Sequence, residues 1–312
     1  MTILVCGEAL YDLLQTGSGE NGEVVFDAQP GGSPFNVAMG IARLGGNAAL
    51  LTGLSTDAMG ERLHQQLVTE GVDTGYLVRS GRRTTLSVVG LDQNGSPDYA
   101  FYGVGSADCA LTIEDMPNLS PEIQALHFGS YSLVVQPVAD ALAALALGHP
   151  DRFISLDPNI RPTIEPDMQI WRDRIDALRP HADLIKVSVE DLAHLFPGED
   201  PEAIVRSWAQ EHPCTVVLTA GAKGISAFNG DDVVNAVPPK VDVVDTVGAG
   251  DSVQASLLMQ LQHRGAFEAP RSTIPTDTWR EMIEVAVTVG ARTCTVRGAR
   301  MPLDAAQSGG AS

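Results

Sequence analysis

Asp245-Thr246-Val247-Gly248-Ala249-Gly250-Asp251 is the stretch that decides how this chain is read. An apolar, β-branched run, Val241–Val244, precedes it, and Ser252-Val253-Gln254-Ala255-Ser256-Leu257-Leu258-Met259-Gln260-Leu261 follows. Val253, Leu257, Leu258 and Leu261 fall on one helical face, so the order predicted is strand, glycine-rich turn, helix. Such a turn leaves unpaired backbone N–H groups at a helix N-terminus, which favours an anion. Glycine at 248 and 250 removes the side chains that would keep a phosphate away. Asp251 then stands beside that anion, where a carboxylate is unfavourable unless it accepts the proton of an attacking hydroxyl. The competing reading is a plain glycine turn with an Asp N-cap.

Far upstream lies a second unusual stretch, Gly31-Gly32-Ser33-Pro34-Phe35-Asn36-Val37-Ala38. Pro34 suits a helix start, and the helix is predicted to run through Ile41 and Leu44 to Gly45-Gly46. Two glycines before it let a ligand touch the backbone, and Asn36 in the first turn both donates and accepts, which suits sugar hydroxyls. Ile3–Gly7 reads as a buried first strand, and Ala48–Leu54 as another, followed by a helix over Ala58–Glu70. Arg83–Leu91 and Tyr99–Val104 flank Asn94-Gly95, a hairpin signal. Together with short strands near residues 10–30, these belong to no βα unit and are expected to form a small separate sheet. Beyond residue 110, strands near Ala125–Phe128, Phe153–Leu156, Leu184–Val187 and Thr215–Leu218 alternate with helices at Val134–Leu147, Met168–Leu178, Glu190–Leu195 and Glu202–Gln210. That alternation predicts a parallel sheet covered on both faces. Ile225–Phe228 and Val233–Ala236 read as a late hairpin, Thr278–Cys294 as a last helix, and the tail from Ser308 as disordered.

With 312 residues, 44% of them hydrophobic and 19% charged, the chain can bury a large core. Its net charge is −19, from 20 basic and 39 acidic residues, which argues against a nucleic-acid partner. Cys6, Cys109, Cys214 and Cys294 are far apart, without metal-type spacing, and are expected to be thiols in a reducing compartment. The N-terminus lacks the marks of a signal peptide and no run is long enough to span a membrane, so a cytoplasmic protein with no membrane partner is expected. The seven histidines are scattered and His127 and His181 are expected in core or surface roles. No Gly-x-Ser-x-Gly or Cys–His pattern suggests a hydrolase. A dinucleotide fingerprint would follow the first strand, and Cys6-Gly7-Glu8-Ala9-Leu10-Tyr11 is not one.

Taken together, Gly31–Ala38 and Asp245–Asp251 closely resemble the two signatures of the ribokinase/PfkB family of carbohydrate kinases, and the resemblance covers nearly the whole chain. It implies a doubly wound, mainly parallel α/β sheet with helices on both faces and a small β-sheet lid. The expected arrangement is a single kinase domain over 1–312, its lid formed by segments at about 10–30 and 82–105. It implies transfer of the γ-phosphoryl group of ATP, with Mg²⁺, to a sugar hydroxyl. Asp251 matches the family's catalytic base, and Gly248, Ala249 and Gly250 its anion hole. Asp12 matches an early Asp that binds sugar hydroxyls, and Gly31, Gly32 and Asn36 the sugar-contacting loop.

Leu218-Thr219-Ala220-Gly221-Ala222-Lys223-Gly224 resembles the family's nucleotide loop, with Thr219, Gly221 and Gly224 beside ATP. Lys186-Val187-Ser188-Val189-Glu190-Asp191 occupies the place of the Asn-x-x-Glu motif that organises Mg²⁺. Ser188 stands where many members have Asn, either Glu190 or Asp191 is the acid, and Lys186 is a candidate to neutralise phosphate charge. Asp157-Pro158-Asn159-Ile160-Arg161-Pro162 is similar to the fructokinase branch, as is Gly105-Ser106-Ala107-Asp108, and Asn159 and Arg161 are candidate ligands of sugar or phosphate. Many members bind K⁺ beside the anion hole, for which Asp245 and Val247 occupy candidate positions. Ser55, Val253 and Ser256 depart from the residues usual in the family, and bear on packing around the catalytic helix. Fructose phosphorylated at O6 is the expected reaction. Kinases of 2-keto-3-deoxygluconate, ribose or a nucleoside are the alternatives, as is a non-catalytic sugar- or nucleotide-binding regulator. Lid-to-lid pairing in the family implies a homodimer.

Overall fold

In this computed structural model the described residues are 1–91, 97–268 and 274–302. The chain opens with β1 (Thr2–Cys6), β2 (Leu10–Ser18) and β3 (Val24–Gly31), then α1 (Ser33–Arg43), β4 (Ala48–Leu51), β5 (Gly53–Ser55) and α2 (Ala58–Thr69). Next come β6 (Val78–Ser80), β7 (Thr85–Leu91), β8 (Pro97–Tyr102), β9 (Ile123–Gly129), α3 (Val138–Gly148), β10 (Phe153–Asp157), α4 (Met168–Leu178), β11 (Leu184–Ser188) and α5 (Val189–Leu195). It closes with α6 (Pro201–Glu211), β12 (Thr215–Thr219), β13 (Ile225–Asn229), β14 (Asp232–Ala236), α7 (Ala249–His263) and α8 (Thr276–Thr293).

The main sheet has eight strands in the order β14-β13-β12-β11-β10-β9-β1-β4. From β4 to β12 every pairing is parallel, and the hairpin β13–β14 closes one edge antiparallel. Successive side chains of a strand face opposite sides. Accordingly Ile3 and Val5 join a core with α1, α2, α7 and α8, while Leu4 and Cys6 join a second core with α3, α4, α5 and α6. This is the doubly wound α/β arrangement. The chain leaves β1 in one direction to reach β4 and later returns to β9 on its other side, so a crevice opens beyond the strands' carboxyl ends.

A separate four-stranded sheet, β3-β2-β7-β8, is assembled from the two regions that fitted no βα unit. Asp57 caps α2 through Met59 N–H at 3.0 Å and Gly60 N–H at 2.8 Å, and also accepts Thr84 N–H at 2.9 Å and Thr84 Oγ1 at 2.7 Å. One carboxylate thus ties the entrance of β7 to the main body. At the exit of β8, Asp108 accepts from Thr85 Oγ1, from Ser106 Oγ at 2.8 Å and from Tyr131 Oη at 2.7 Å. Phe101 packs edge-on against Tyr131 with ring centroids 5.0 Å apart, so it is a packing residue, whereas Tyr102 is exposed.

Several expectations change. No strand forms over Val241–Val244, and Val243 and Val244 are exposed. Pro238 and Pro239 follow β14 and cannot donate to a ladder, so the chain leaves the sheet there. Its later hold is Val244 N–H on Cys294 O at 2.8 Å. Helix α7 is buried on every side from Asp251 to Gln262 rather than on one face, because it lies between α1 and α8 against the sheet. The run Ala48–Leu54 divides into β4 and β5, which pairs with β6 in a small two-stranded sheet. Residues Ser130–Leu133 form a 3₁₀ turn, so α3 starts at Val138 instead of Val134. Asn94-Gly95 and the tail from Ser308 lie outside the described residues. None of the described helices is long and apolar enough to cross a membrane.

Candidate active site

Asp251 lies in the first turn of α7 and is buried. Both of its carboxylate oxygens are held by the first turn of α1: Ser33 Oγ donates to Oδ1 at 2.7 Å, and Asn36 Nδ2 donates to Oδ2 at 2.8 Å. The two signature stretches of the sequence are therefore one site. Gly248 before the helix is left-handed, with φ 76°, and a Cβ there would fall 2.6 Å from Ala299 Cα. Of the three amides expected to hold an anion, that of Ala249 is bent back onto Thr246 O at 3.3 Å. The first-turn amides beyond it have no partner within the helix. Asp245 closes the loop by accepting Val247 N–H at 3.1 Å and Gly298 N–H at 2.9 Å.

The N-terminus of α1 carries no side-chain cap of its own. Glu8, just past β1, supplies the acceptor: its Oε1 takes Ser33 N–H at 3.2 Å. Gly32, with φ 101°, passes so close that a Cβ would meet Glu8 O at 2.8 Å. Burial, helped by the charge of Asp108, pushes the Glu8 carboxyl up to about 8, against a hydrogen bond from Ser130 and the charge of Arg161 that lower it. Its Oε2 is buried without a partner.

Asp12 on β2 leans over Gly31, where a Cβ would sit 2.4 Å from its Oδ2. Burial raises its carboxyl, a hydrogen bond from Ser87 and the charge of Arg161 lower it, and Asp251 raises it again. Arg161 itself is exposed and folds onto Asn159, Nη1 donating to Asn159 Oδ1 at 2.7 Å. Asn159 holds a left-handed backbone, with φ 43°. Asp12, Gly31, Gly32, Asn36 and Arg161 thus gather on one side of Asp251.

On the other side opens a cavity of about 930 Å³, with Asn159, Lys186, Ser188, Glu190, Thr219, Gly221, Gly224 and Gly250 in its wall. It reaches Gly250 but not Asp251, so the two groups of residues meet at that peptide. Gly224, with φ 107°, admits no side chain, since a Cβ would lie 2.1 Å from Ala236 O. Val253, where the family favours an aromatic residue, also lines the cavity and leaves room for Gly290, whose Cβ would come within 2.8 Å of Val253 Cγ2.

Ser188 and Asp191 cap α5 reciprocally, Ser188 Oγ donating to Asp191 Oδ2 at 2.7 Å and Asp191 N–H to Ser188 Oγ at 3.0 Å. Asp191 Oδ1 also accepts Ile160 N–H at 2.7 Å, fixing the loop that carries Asn159 and Arg161. Both acids border the cavity, Asp191 buried and engaged in these bonds and Glu190 exposed. Among the described residues no group of three or more His, Cys, Asp or Glu converges as a metal cage. Lys186 is not a surface lysine: it is buried, with Nζ 2.8 Å from Asp157 Oδ2.

Sequence reasoning passed over Glu8, Ser33 and Asp157. It also passed over a signal open to inspection: in a chain of net charge −19 the lysines are Lys186, Lys223 and Lys240 alone. Lys186 and Lys240 line the cavity, and Lys223 sits on the Gly221–Lys223 turn at its rim.

A sequence model of the pfkB family carbohydrate kinases matches residues 2–306. The chain is 39% identical over 263 residues to a fructokinase of Rhizobium leguminosarum bv. trifolii, covering 83% of this chain and 79% of that one. Among solved structures it is similar to the fructokinase of Xylella fastidiosa with bound ATP (26% identity, TM-score 0.85, 97% of this chain and 94% of that one). It is also similar to the fructokinase of Vibrio cholerae O395 bound to fructose, ADP and calcium (28% identity, TM-score 0.81, 97% and 95%).

The buried Glu8 carboxyl has a thermodynamic signature. Its ordinary value is 4.5 and the folded value about 8, so across that interval the folded state holds a proton that the unfolded state releases. Stability from this group is therefore full below the lower value and declines as pH rises through the interval. Glu8→Gln keeps an acceptor for Ser33 N–H but cannot ionise. Denaturant midpoints taken at about pH 5 and about pH 8 should fall less in this variant than in the parent chain. Equal falls would show that Glu8 is ionised in the fold.

Proposed function

The chain belongs to the pfkB family of carbohydrate kinases, and we propose that it transfers the γ-phosphoryl group of ATP to O6 of fructose. The observation that carries this reading is the meeting, at Gly250 and Asp251, of a polyphosphate-sized cavity with a polar cluster suited to sugar hydroxyls. The choice of fructose rests on the relatives, which are named fructokinases, one of them with fructose and ADP bound.

In the proposed reaction Asp251 accepts the proton of the fructose hydroxyl, the new bond forms between that oxygen and the γ-phosphorus, and ADP departs with the electrons of the broken bond. Ser33 and Asn36 aim the two carboxylate oxygens. Asp12, Gly31, Gly32, Asn36, Asn159 and Arg161 bind and orient the sugar, so that positioning lowers the barrier. The amides of the Gly248–Gly250 turn receive the γ-phosphate oxygens, and Lys186 adds a positive charge beside them. Ser188, Thr219, Gly221 and Gly224 form the nucleotide wall. Glu190 would hold the water shell of a Mg²⁺ ion carried by ATP, which would supply positive charge against the phosphates. Asp191 serves instead as the anchor of the Asn159–Arg161 loop. A K⁺ ion beside the turn would draw on the Asp245 carboxylate and the Val247 carbonyl.

The whole chain is taken as a single kinase unit in which the small sheet acts as a lid over the sugar. Its edge strand β3 exposes Val24, Val25 and Phe26, an apolar row that pairing of two lids in a homodimer would cover. Four free thiols accord with a cytoplasmic setting.

ADP release with Mg²⁺-ATP should be strong with fructose and weak with ribose, 2-keto-3-deoxygluconate and adenosine. Faster turnover of another of these replaces the substrate, and no turnover despite thermal stabilisation by ATP favours a non-catalytic regulator. Asp251→Asn should lower kcat by about 10²–10⁴-fold while ATP still raises the melting temperature. Near-normal kcat in that variant overturns the assignment of the base. Light scattering at micromolar concentration should give twice the 32.9 kDa chain mass, and the mass of one chain refutes the dimer.

A further inference from the structure

We propose that Asp157, which touches neither cavity nor sugar cluster, is a positioning residue for phosphoryl transfer: its carboxylate keeps Lys186 charged and held beneath the phosphate-binding turn. The inference rests on the kinase reading above.

Strands β10 and β11 run parallel, with Ser155 opposite Leu184 and Leu156 opposite Ile185. One step further along that register, Asp157 stands beside Lys186 at the carboxyl edge of the sheet. Their side chains meet at 2.8 Å, with the Asp157 side chain 1% exposed and that of Lys186 4%. A pair so thoroughly removed from water is a poor means of holding two strands together, because apolar residues of similar size do that at lower cost. The two partners also face different things. Lys186 lines the cavity and Asp157 does not. A Cβ on Gly250 would lie 3.5 Å from Lys186 Nζ, so glycine at 250 leaves the ammonium open to whatever occupies the turn.

An ammonium at this depth needs a reason to stay charged. Burial pulls Lys186 down, but Asp157 beside it, and then Asp191 and Asp251, lift it above the ordinary lysine value of 10.5. The remaining titratable neighbour, His127, is driven down to about 3 by burial and by Lys186 itself, so it contributes no competing positive charge near neutrality. Burial and the charges of Asp191 and Asp251 push Asp157 upward, while Lys186 pulls it down. Among the described residues the ammonium's ion-pair partner is Asp157. Asp191 is committed to its cap and to Ile160 N–H, and Asp251 to Ser33 and Asn36. Without Asp157, burial of Lys186 prevails and the neutral amine becomes accessible.

Asp157→Asn is the test, because it preserves shape and removes charge. The alkaline limb of its kcat profile should move to lower pH by about one unit or more, with KM for fructose changed less than about twofold. In a Lys186→Arg background the same substitution should leave the alkaline limb where it is, since a guanidinium does not deprotonate. An unmoved limb in the single variant, or an equal movement in the arginine background, overturns the proposal. Should the variants fail to fold, the parent chain carries its own test. With Lys186, Lys223 and Lys240 its only lysines, ¹⁵N-lysine labelling yields few Nζ signals to assign. Lys186 should stay protonated above pH 10.5, and titration at or below that value refutes the charge assignment. This readout needs no turnover, so a chain that phosphorylates no sugar refutes the kinase reading without deciding the state of Lys186.

Discussion

Ser33 and Asn36 reach Asp251 across 218 and 215 positions of chain, and most of what is particular to this structure serves those two hydrogen bonds. A carboxylate with a donor on each oxygen cannot rotate, so its direction is set by wherever α1 begins. The start of α1 is set in turn by Glu8, which accepts Ser33 N–H, and by Gly32, whose positive φ lets the chain turn across Glu8 without collision. The cluster of Asp12, Gly31, Gly32 and Asn36, the Gly248–Gly250 turn and the core between α1 and α7 are consequences of one alignment. Interior packing is close to crystalline density, so an error at any of these contacts is transmitted to the others.

The site also concentrates buried ionisable groups. Glu8, Asp108, Asp157, Lys186, Asp191 and Asp251 are all buried along the carboxyl edge of the sheet. Each is expensive to remove from water, and each is partnered by a group from a different element. The result is a crevice whose charges are oriented before any ligand arrives, a preorganised polar environment of the sort that stabilises developing charge. In the strands beneath, Leu4, Val5, Ile154, Leu184 and Val216 carry the packing.

Much of this was legible in the sequence, for reasons tied to particular residues. Periodicity located the βα units after residue 110 because each strand there is buried on both faces and bounded by polar turns. The two glycine-rich stretches announced a site because Gly31, Gly32, Gly248 and Gly250 make sense only where backbone must approach something closely. Periodicity failed at both ends of the glycine turn. Val241–Val244 has the composition of a strand, but the proline pair before it denies it a ladder. Helix α7 looked amphipathic because Gln254, Ser256 and Gln260 are polar, yet all three are buried. Gln254 donates to Ser155 Oγ at 2.8 Å, and Gln260 to Met282 O at 3.0 Å and to Ser256 Oγ. Glu8, Ser33 and Asp157 were missed because their partners are remote in sequence or lie across a strand register that only the folded sheet defines. Glu190 and Asp191 both lie in the first turn of α5, and that Glu190 is exposed while Asp191 is tied into its cap is a difference only the folded chain displays.

The burial of α7 on all sides has a consequence for how the protein is made. The helix occupies residues 249–263, near the end of the chain, yet it fills the centre of the core on one face of the sheet. During synthesis, α1 and the strand face bearing Ile3 and Val5 emerge long before the element that covers them. Until the last fifth of the chain leaves the ribosome, the apolar surface that α7 will bury lacks that partner, and apolar surface left exposed during folding is prone to aggregation. The same late element carries Asp251. A product truncated before it loses the centre of that core and Asp251 together.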